Sequence, residues 1–500
     1  MNARNRKFAK NGFWSLIQQG FAVVCGLILP QLILSTYGST VNGTIASITQ
    51  FLSFITLLQG GVGTVARVAF YKPLAENDNT GISVAYKTVS NFFKRFSIVF
   101  AVYLVLLACV YPLLFNAEFT FSYIFWLVIV IGLASISEYF FGQASQLLLY
   151  SDQKGYVYSI AQIVCLIVST VLCSFLILKG ISIHIVKLVY SIVFTIRPIV
   201  LYAFVNKHYQ IATNVKEDKR LLSQKNAALV RHIAYYIHTS TDVFVLTIFT
   251  NPLLVSVYSV HKYVVSCLSN LLSSVLGNTE VVFGDMFAKN EKENLSKYIP
   301  AYDIFTKMFT VSVFSTCIIL ISSFVQIYTR NVNDTSYYYP TFATILVLGE
   351  MVYLMGITYQ NVYIAAGHIK KTEWIAIIEA VINIIISVIL VLRIGILGVA
   401  IGTLVAMTFK TVANIYYMQK NVFKLPISFL IKSNLVSLIS CGIICAFFMN
   451  VIHYIPNTYL HFFLYAFVVF GIVTLFIALV FALCFKNYCL LVIKKVKKKG

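Results

Sequence analysis

YSDQKGYVYSIAQIVCLIVSTVLCSFLILKGIS (residues 150–182) and AAGHIKKTEWIAIIEAVINIIISVILVLRIGIL (residues 365–397) share one order of elements. Each begins with a short polar, basic loop. Each continues as an apolar span and closes on a basic residue and a glycine, Lys179-Gly180 in the first and Arg393-Ile394-Gly395 in the second. Each run has about the 20 residues that carry a helix across about 30 Å of hydrocarbon. Recurrence at an offset of about 213 residues marks an internal repeat. Overlaying the first two spans on spans seven and eight at that offset places Arg67 opposite Glu280.

Working outward, similar runs recur along all 500 residues. The chain is 59% hydrophobic and 11% charged. A soluble domain carries about 25% charged residues, so this composition excludes a water-soluble fold. The chain reads as an all-α polytopic membrane protein with about 14 transmembrane helices. The spans fall at about 11–34, 41–66, 92–114, 121–148, 156–178, 183–205, 231–249, 254–284, 303–328, 339–365, 373–392, 396–418, 432–453 and 459–485. Six spans per copy give two parallel lobes with pseudo-two-fold symmetry, and two C-terminal helices belong to neither. The expected organisation is an N-terminal lobe at 1–205, a basic linker at 206–230, a second lobe at 231–418, and 419–500 as two further spans with a basic tail. The first apolar stretch follows RNRKFAK without a small-residue cleavage site and reads as a retained helix.

The net charge of +21 would suggest nucleic acid in a soluble chain. Here it sorts by loop. Of 38 Lys and Arg, 31 fall on the side of both termini, three on the other side (Lys179, Arg330, Arg393) and four within spans (Lys187, Arg197, Lys262, Lys410). That asymmetry puts both termini in the cytoplasm and leaves no role for nucleic acid. The ten cysteines show no metal-ligand spacing. No Walker, HExxH or GxSxG motif and no loop large enough for a catalytic domain is present, so the chain reads as a non-enzyme without a cofactor.

Ionisable groups inside a membrane are costly and need a partner or a wet cavity. The embedded acids are Glu138, Asp242, Glu280, Glu350 and Glu379. Arg67 lies near the end of span two, and Pro198 beside Arg197 and Pro30 in span one mark candidate bends. His238 and Asp242 share a helical face. Spans seven and eight are joined by the TNP turn, and a rise of about 1.5 Å per residue brings Asp242 level with His261 and Lys262. An Asp242–Lys262 or Asp242–His261 contact is the expected geometry. It is either an ion pair locking two helices or a cavity acid that couples transport or organises a headgroup. Glu138 has Gln143, Ser145 and Gln146 as local partners, whereas the partner of Glu350 must come from another helix. Arg67 and Glu280 read as a gate pair or as snorkelling side chains. Glycines 395, 398 and 402 permit close helix packing.

HTSTDVFVLTIFTNPLLVSVYSV (238–260), the 365–411 segment and the two-times-six-plus-two layout together resemble a bacterial polysaccharide flippase. The resemblance is to the O-antigen or capsule repeat-unit type of the multidrug/oligosaccharidyl-lipid/polysaccharide exporter superfamily, and it covers nearly the whole chain. It implies a transporter in the bacterial plasma membrane that hands a polyprenyl-pyrophosphate-linked oligosaccharide to the outer leaflet by alternating access. Arg67, Arg197, Lys262 and Lys410 are then the candidates to hold pyrophosphate. Asp242, His238, Glu138 and Glu350 are the candidate coupling or cavity acids and relays, and Glu280, Glu379 and His261 the candidate gate or structural pairs. The implied partners are the lipid-linked substrate, membrane lipids and the polymerase and export machinery, with a monomeric transport unit and a proton or sodium ion as the candidate coupling ion. Two further readings stay open: a proton- or sodium-coupled multidrug antiporter of the same superfamily, and a flippase for the peptidoglycan-precursor lipid.

Overall fold

Gly38 decides how the chain enters the fold. The first helix, α1 (Ala3–Phe54), is helical through Pro30 and leaves helical geometry only at Gly38 (φ 86°, ψ 172°). That backbone conformation is open to glycine and strained for other residues. Its Lys10–Phe54 part is 45 residues long, about twice the hydrocarbon thickness, and the break at Gly38 divides it into two crossings. The bend expected at Pro30 is therefore found eight positions later, where the residue type tolerates it.

A computed structural model describes residues 3–55, 61–114, 119–212, 214–223, 240–276, 279–451, 458–489 and 491; for 3–9, 274–275, 280–281 and 451 it describes the backbone alone. Among these residues, eleven helices are long and apolar enough to cross a membrane. With α1 counted as two crossings, and with the seventh and eighth spans, the architecture is the expected all-α polytopic one with about fourteen transmembrane helices. Apolar side chains left exposed on the last helix, such as Phe467, Leu475 and Leu483, present a hydrocarbon-compatible face.

The chain packs into two units, Met1–Ser240 and Thr241–Gly500. Unit 1 continues after α1 with α2 (Val62–Glu76), α3 (Asn79–Leu114), α4 (Phe121–Ser137), a π-helical turn Glu138–Gly142, α5 (Gln143–Ser151), α6 (Gly155–Leu178) and α7 (Ile183–His208). Helix α3 starts well before its expected apolar core because its first turns carry Ser83, Thr88, Asn91 and Arg95. These hold the linker: Ala212 N–H donates to Ser83 Oγ at 3.0 Å, Asp218 N–H to Thr88 Oγ1 at 3.0 Å, and Arg95 meets Glu217 at 3.2 Å.

Unit 2 comprises α8 (Ser240–Phe249), α9 (Pro252–Leu276), α10 (Thr279–Ala288), α11 (Lys292–Tyr328), α12 (Pro340–Met355), α13 (Ile357–Ala365), α14 (Glu373–Ile394), α15 (Ile396–Asn421), α16 (Ile427–Val451) and α17 (Tyr459–Cys484). Residues 231–239, the expected start of span seven, lie outside the described residues. The two segments of the repeat become α6 and α14, and each ends at a glycine with positive φ, Gly180 (70°) and Gly395 (58°). Each is followed by a helix that packs back on it, α7 on α6 and α15 on α14. That helix also lies on the fourth span of its own unit, α4 in the first and α12 in the second. The α14–α15 hairpin is close. A Cβ on Gly398 would stand 2.6 Å from the Leu390 carbonyl oxygen, and one on Gly402 2.8 Å from the Ser387 nitrogen. The last two helices, α16 and α17, pack on α11.

Candidate functional site

In unit 1 the site is built where α4 loses α-helical register. The π-turn begins at Glu138 and ends at Gly142. Such turns re-aim side chains within a helix. Gly142 meets Pro198: a Cβ there would lie 2.7 Å from the Pro198 Cβ and 3.1 Å from Glu138 Oε2. Only a glycine lets α7 come this near. Pro198 does not end α7, which runs unbroken from Ile183 to His208. Its ring instead fills the space opposite Gly142.

This approach pairs the neighbouring residue, Arg197, with Glu138 at 2.6 Å. The guanidinium also donates to Gln162 Oε1 and, at 3.3 Å, to Tyr158 OH, both on α6. It lies 5.1 Å from the centre of the Tyr158 ring. The local partners expected for Glu138 are engaged in part elsewhere, Ser145 binding Tyr86 OH at 2.9 Å. The pair lines a cavity of about 470 Å³ bounded by α1, α3, α4 and α7, with Lys187 and Phe100 on its wall. A second cavity of about 290 Å³ in the same unit is lined by Arg67, Gly61, Thr64, Gln146 and Tyr150. Arg67 sits there exposed on α2.

Unit 2 holds two further acid–base pairs. Lys262 on α9 meets Glu350 on α12 at 3.4 Å, and Ser269 Oγ donates to the other Glu350 oxygen at 2.6 Å. Lys410 on α15 meets buried Glu379 on α14 at 3.2 Å, with its ammonium 5.0 Å from the Tyr353 ring centre.

Asp242 corrects an expectation. Its carboxylate contacts neither Lys262 nor His261. Tyr258 OH donates to it at 2.6 Å, and Thr403 Oγ1 lies 3.1 Å from both oxygens. Asn383 in turn donates to Thr403 at 3.1 Å, while its own Oδ1 has no partner among the described residues. The sixteen-residue separation of Asp242 and Tyr258 across the turn puts the phenol, not the ammonium, opposite the acid. His261 is buried, bonded to the Val257 carbonyl at 2.8 Å and set edge-on to Phe342. His238 lies outside the described residues. Glu280 lies in α10, but its side chain lies outside the described ones.

Lys307 was missed by sequence reasoning, which counted it with the loop side because it stands at the start of span nine. Helix α11 begins eleven residues before that span, at Lys292, and Lys307 is wholly buried within it. Its ammonium uses all three donors: Asp303 on the same helix at 2.9 Å, Tyr359 OH on α13 at 2.8 Å and Ser433 Oγ on α16 at 2.8 Å. The signal available was the Asp303–Lys307 spacing of four, which puts opposite charges on one helical face.

Three of the four candidate pyrophosphate cations thus stand within 4 Å of a carboxylate. Such pairs lower the cost of embedded charge and are close to neutral as units. Among the described residues, Arg67 and Lys187 show no carboxylate partner within 4 Å.

The fold is shared with solved proteins of many membrane-spanning helices. The chain is similar to the lipid II flippase MurJ in its inward closed conformation, with a TM-score of 0.70 and 19% identity over 94% of this chain and 98% of that one. It is also similar to an inward-facing multidrug resistance MATE transporter (TM-score 0.62, 13% identity, 79% of this chain and 93% of that one). The eukaryotic MATE transporter AtDTX14 follows the same fold (TM-score 0.55, 13% identity, 87% and 100%). No protein-family profile and no curated protein matches the sequence.

Proposed function

We propose that the chain is a flippase that moves a polyprenyl-pyrophosphate-linked oligosaccharide from the cytoplasmic to the outer leaflet of the plasma membrane for surface polysaccharide assembly. The observation that carries this reading is the reach of the fold. The likeness to the lipid II flippase covers 94% of the chain, so it extends into the two helices beyond residue 418. The MATE likenesses cover 79% and 87%. Embedded arginine and lysine suit diphosphate oxygens. The strong excess of Lys and Arg on one side of the span pattern supports cytoplasmic termini. The carboxylates of Glu138, Glu350 and Glu379 hold Arg197, Lys262 and Lys410 in place until an anionic headgroup takes them over. Asp242, bonded by the hydroxyls of Tyr258 and Thr403 among the described residues, is the coupling acid for a proton or sodium ion.

Deletion of the gene, followed by analysis of the lipid-linked sugars that accumulate, tests the reading. Accumulation of a lipid-linked oligosaccharide in viable cells is the expected result. Accumulation of the peptidoglycan-precursor lipid, with lysis, would move the substrate to that lipid. Unchanged lipid pools with heightened drug sensitivity would favour a multidrug antiporter, the reading that Asp242 favours.

A further inference from the structure

Cys441 and Cys445 are four residues apart near the middle of α16, a spacing that puts both thiols on one helical face. Their sulfurs are 4.0 Å apart, and both side chains are buried. The face they occupy meets α11, where Cys445 Sγ lies 3.8 Å from the Ser315 carbonyl oxygen. The Ser315 hydroxyl stands beside both thiols. It is wholly buried and has no hydrogen-bond partner among the described residues. A single buried cysteine is ordinary apolar filling. Two thiols in contact, with an unmatched hydroxyl beside them, are a set of donors that converge on one point.

That set selects its ligand by chemistry. Hard cations ask for six or more oxygens, and structural zinc asks for four ligands. No third cysteine, histidine, aspartate or glutamate joins the pair among the described residues. Thiolates favour soft centres, and a two-coordinate one needs nothing further from the protein. Two metal–sulfur bonds of about 2.3 Å laid in line span about 4.6 Å, which a small side-chain rotation reaches from 4.0 Å. Charge narrows the choice again. The pair sits in the middle of a membrane-spanning helix, where a charged adduct is costly. A divalent soft cation on two thiolates is neutral, and so is trivalent arsenic that carries one organic group.

We propose that Cys441 and Cys445 form a dithiol clamp that takes a soft, thiophilic centre as a neutral bis-thiolate. With mercuric ion, two sulfur–mercury bonds form and both thiol protons leave to solvent. With phenylarsine oxide, two sulfur–arsenic bonds form and the arsenic–oxygen bond breaks. The oxygen departs with both thiol protons as one water, and no atom changes oxidation state. The clamp lies apart from the acid–base pairs described above and does not depend on what the chain transports.

The test treats the purified full-length protein with phenylarsine oxide, and in parallel with mercuric chloride, in an excess of glutathione. Glutathione strips a centre held by one thiol and leaves one held by two, so the other eight of the ten cysteines drop out of the reading. Intact mass is expected to show one phenylarsenic group, added with loss of one water, that survives glutathione and leaves with 2,3-dimercaptopropanol. One mercury is expected to be retained in the same way. Cys441→Ser and Cys445→Ser are each expected to weaken retention about 10²–10⁴-fold, the scale of losing the second point of attachment. Cys317→Ser, which alters a buried thiol of α11, is expected to retain the adduct. Wild-type retention in either single α16 variant, loss of the adduct in Cys317→Ser, or no glutathione-resistant adduct in the wild type overturns the proposal. Should the α16 variants fail to fold, peptide mapping of the wild-type adduct decides. An arsenic bridge within the peptide that carries Cys441 and Cys445 supports the clamp, and a bridge elsewhere overturns it.

Discussion

The ammonium of Lys262 lies 3.4 Å from Glu350 Oε2, and Ser269 donates to the other oxygen of that carboxylate at 2.6 Å. Helices α9 and α12 are thereby joined by a charge pair whose acid is doubly satisfied. The same design recurs at Arg197–Glu138 and Lys410–Glu379, each linking two different helices. On the proposed function, anion binding by such cations exchanges a protein carboxylate for a substrate oxyanion.

Removing one member of the Arg197–Glu138 pair leaves a charge in a poorly hydrated site. Arg197→Ala is expected to destabilise unit 1 by about 3 kcal/mol, the lower end for a broken buried pair. The double variant E138Q/R197Q is expected to recover most of that stability and none of the export. Thermal unfolding in detergent and surface polysaccharide, measured on the same variants, check both. Recovery of export in the double variant would show the pair to be a helix clamp only.

Asp242 accepts from Tyr258 and Thr403, and asparagine can accept from the same hydroxyls. Asp242→Asn is therefore expected to fold with a loss of about 1 kcal/mol or less. On the proposed coupling role, wild-type transport is expected to depend on pH or sodium and that of the variant is not. Transport in vesicles across a pH and sodium series measures this; an unchanged profile and rate removes Asp242 from coupling.

Lys307 and Asp303 are wholly buried and tie α11 to α13 and α16. Lys307→Met leaves Asp303 without its cation and is expected to cost about 3–5 kcal/mol. D303L/K307M, apolar at both positions, is expected to fold close to wild type and to keep transport. Denaturation midpoints of the three proteins give the comparison.

The α14–α15 hairpin depends on the absence of two Cβ atoms. Gly398→Ala would press a methyl group against the Leu390 carbonyl, which is backbone and cannot swing away. A loss of about 1–3 kcal/mol is expected from such overpacking. Gly442→Ala, at a glycine with open space around it, is expected to be neutral or stabilising. Melting temperatures of the two variants separate the contact from glycine's general flexibility.

The linker clasp titrates. Hydrogen bonding from Asn91 first, then the Arg95 bond and charge, holds the half-buried Glu217 carboxyl below its ordinary range. A carboxyl lowered in the folded state stabilises fully above the unfolded value, about 4.3, and loses that contribution as pH falls through the lower folded value. Hydrogen exchange of residues 209–222 is expected to stay flat from neutral pH to about 5 and to rise in relative protection loss only below about 4. Glu217→Gln is expected to show weaker protection already at neutral pH.

The lengths and apolarity of the runs determined, from sequence alone, that this is an all-helical membrane protein with about fourteen spans. The reason is that hydrocarbon offers no hydrogen bonds, so an apolar run of that length has the helix as its only solution. The sequence also placed a glycine after each repeat span, and both Gly180 and Gly395 take positive φ, because glycine at a helix end meets a local requirement. Partners were a different matter. Asp242 and Lys262 lie at similar depths along neighbouring helices, yet helix rotation put Tyr258 and Thr403 against the acid and Glu350 against the lysine. Glu138 reaches Arg197 only through a π-turn and the Gly142–Pro198 approach, neither of which leaves a periodic signature. Lys307 looked like a loop-side lysine until α11 proved longer than its apolar core. Depth in the membrane follows from one-dimensional counting, whereas the direction a charge faces depends on how helices rotate and pack, and only the tertiary structure decides that.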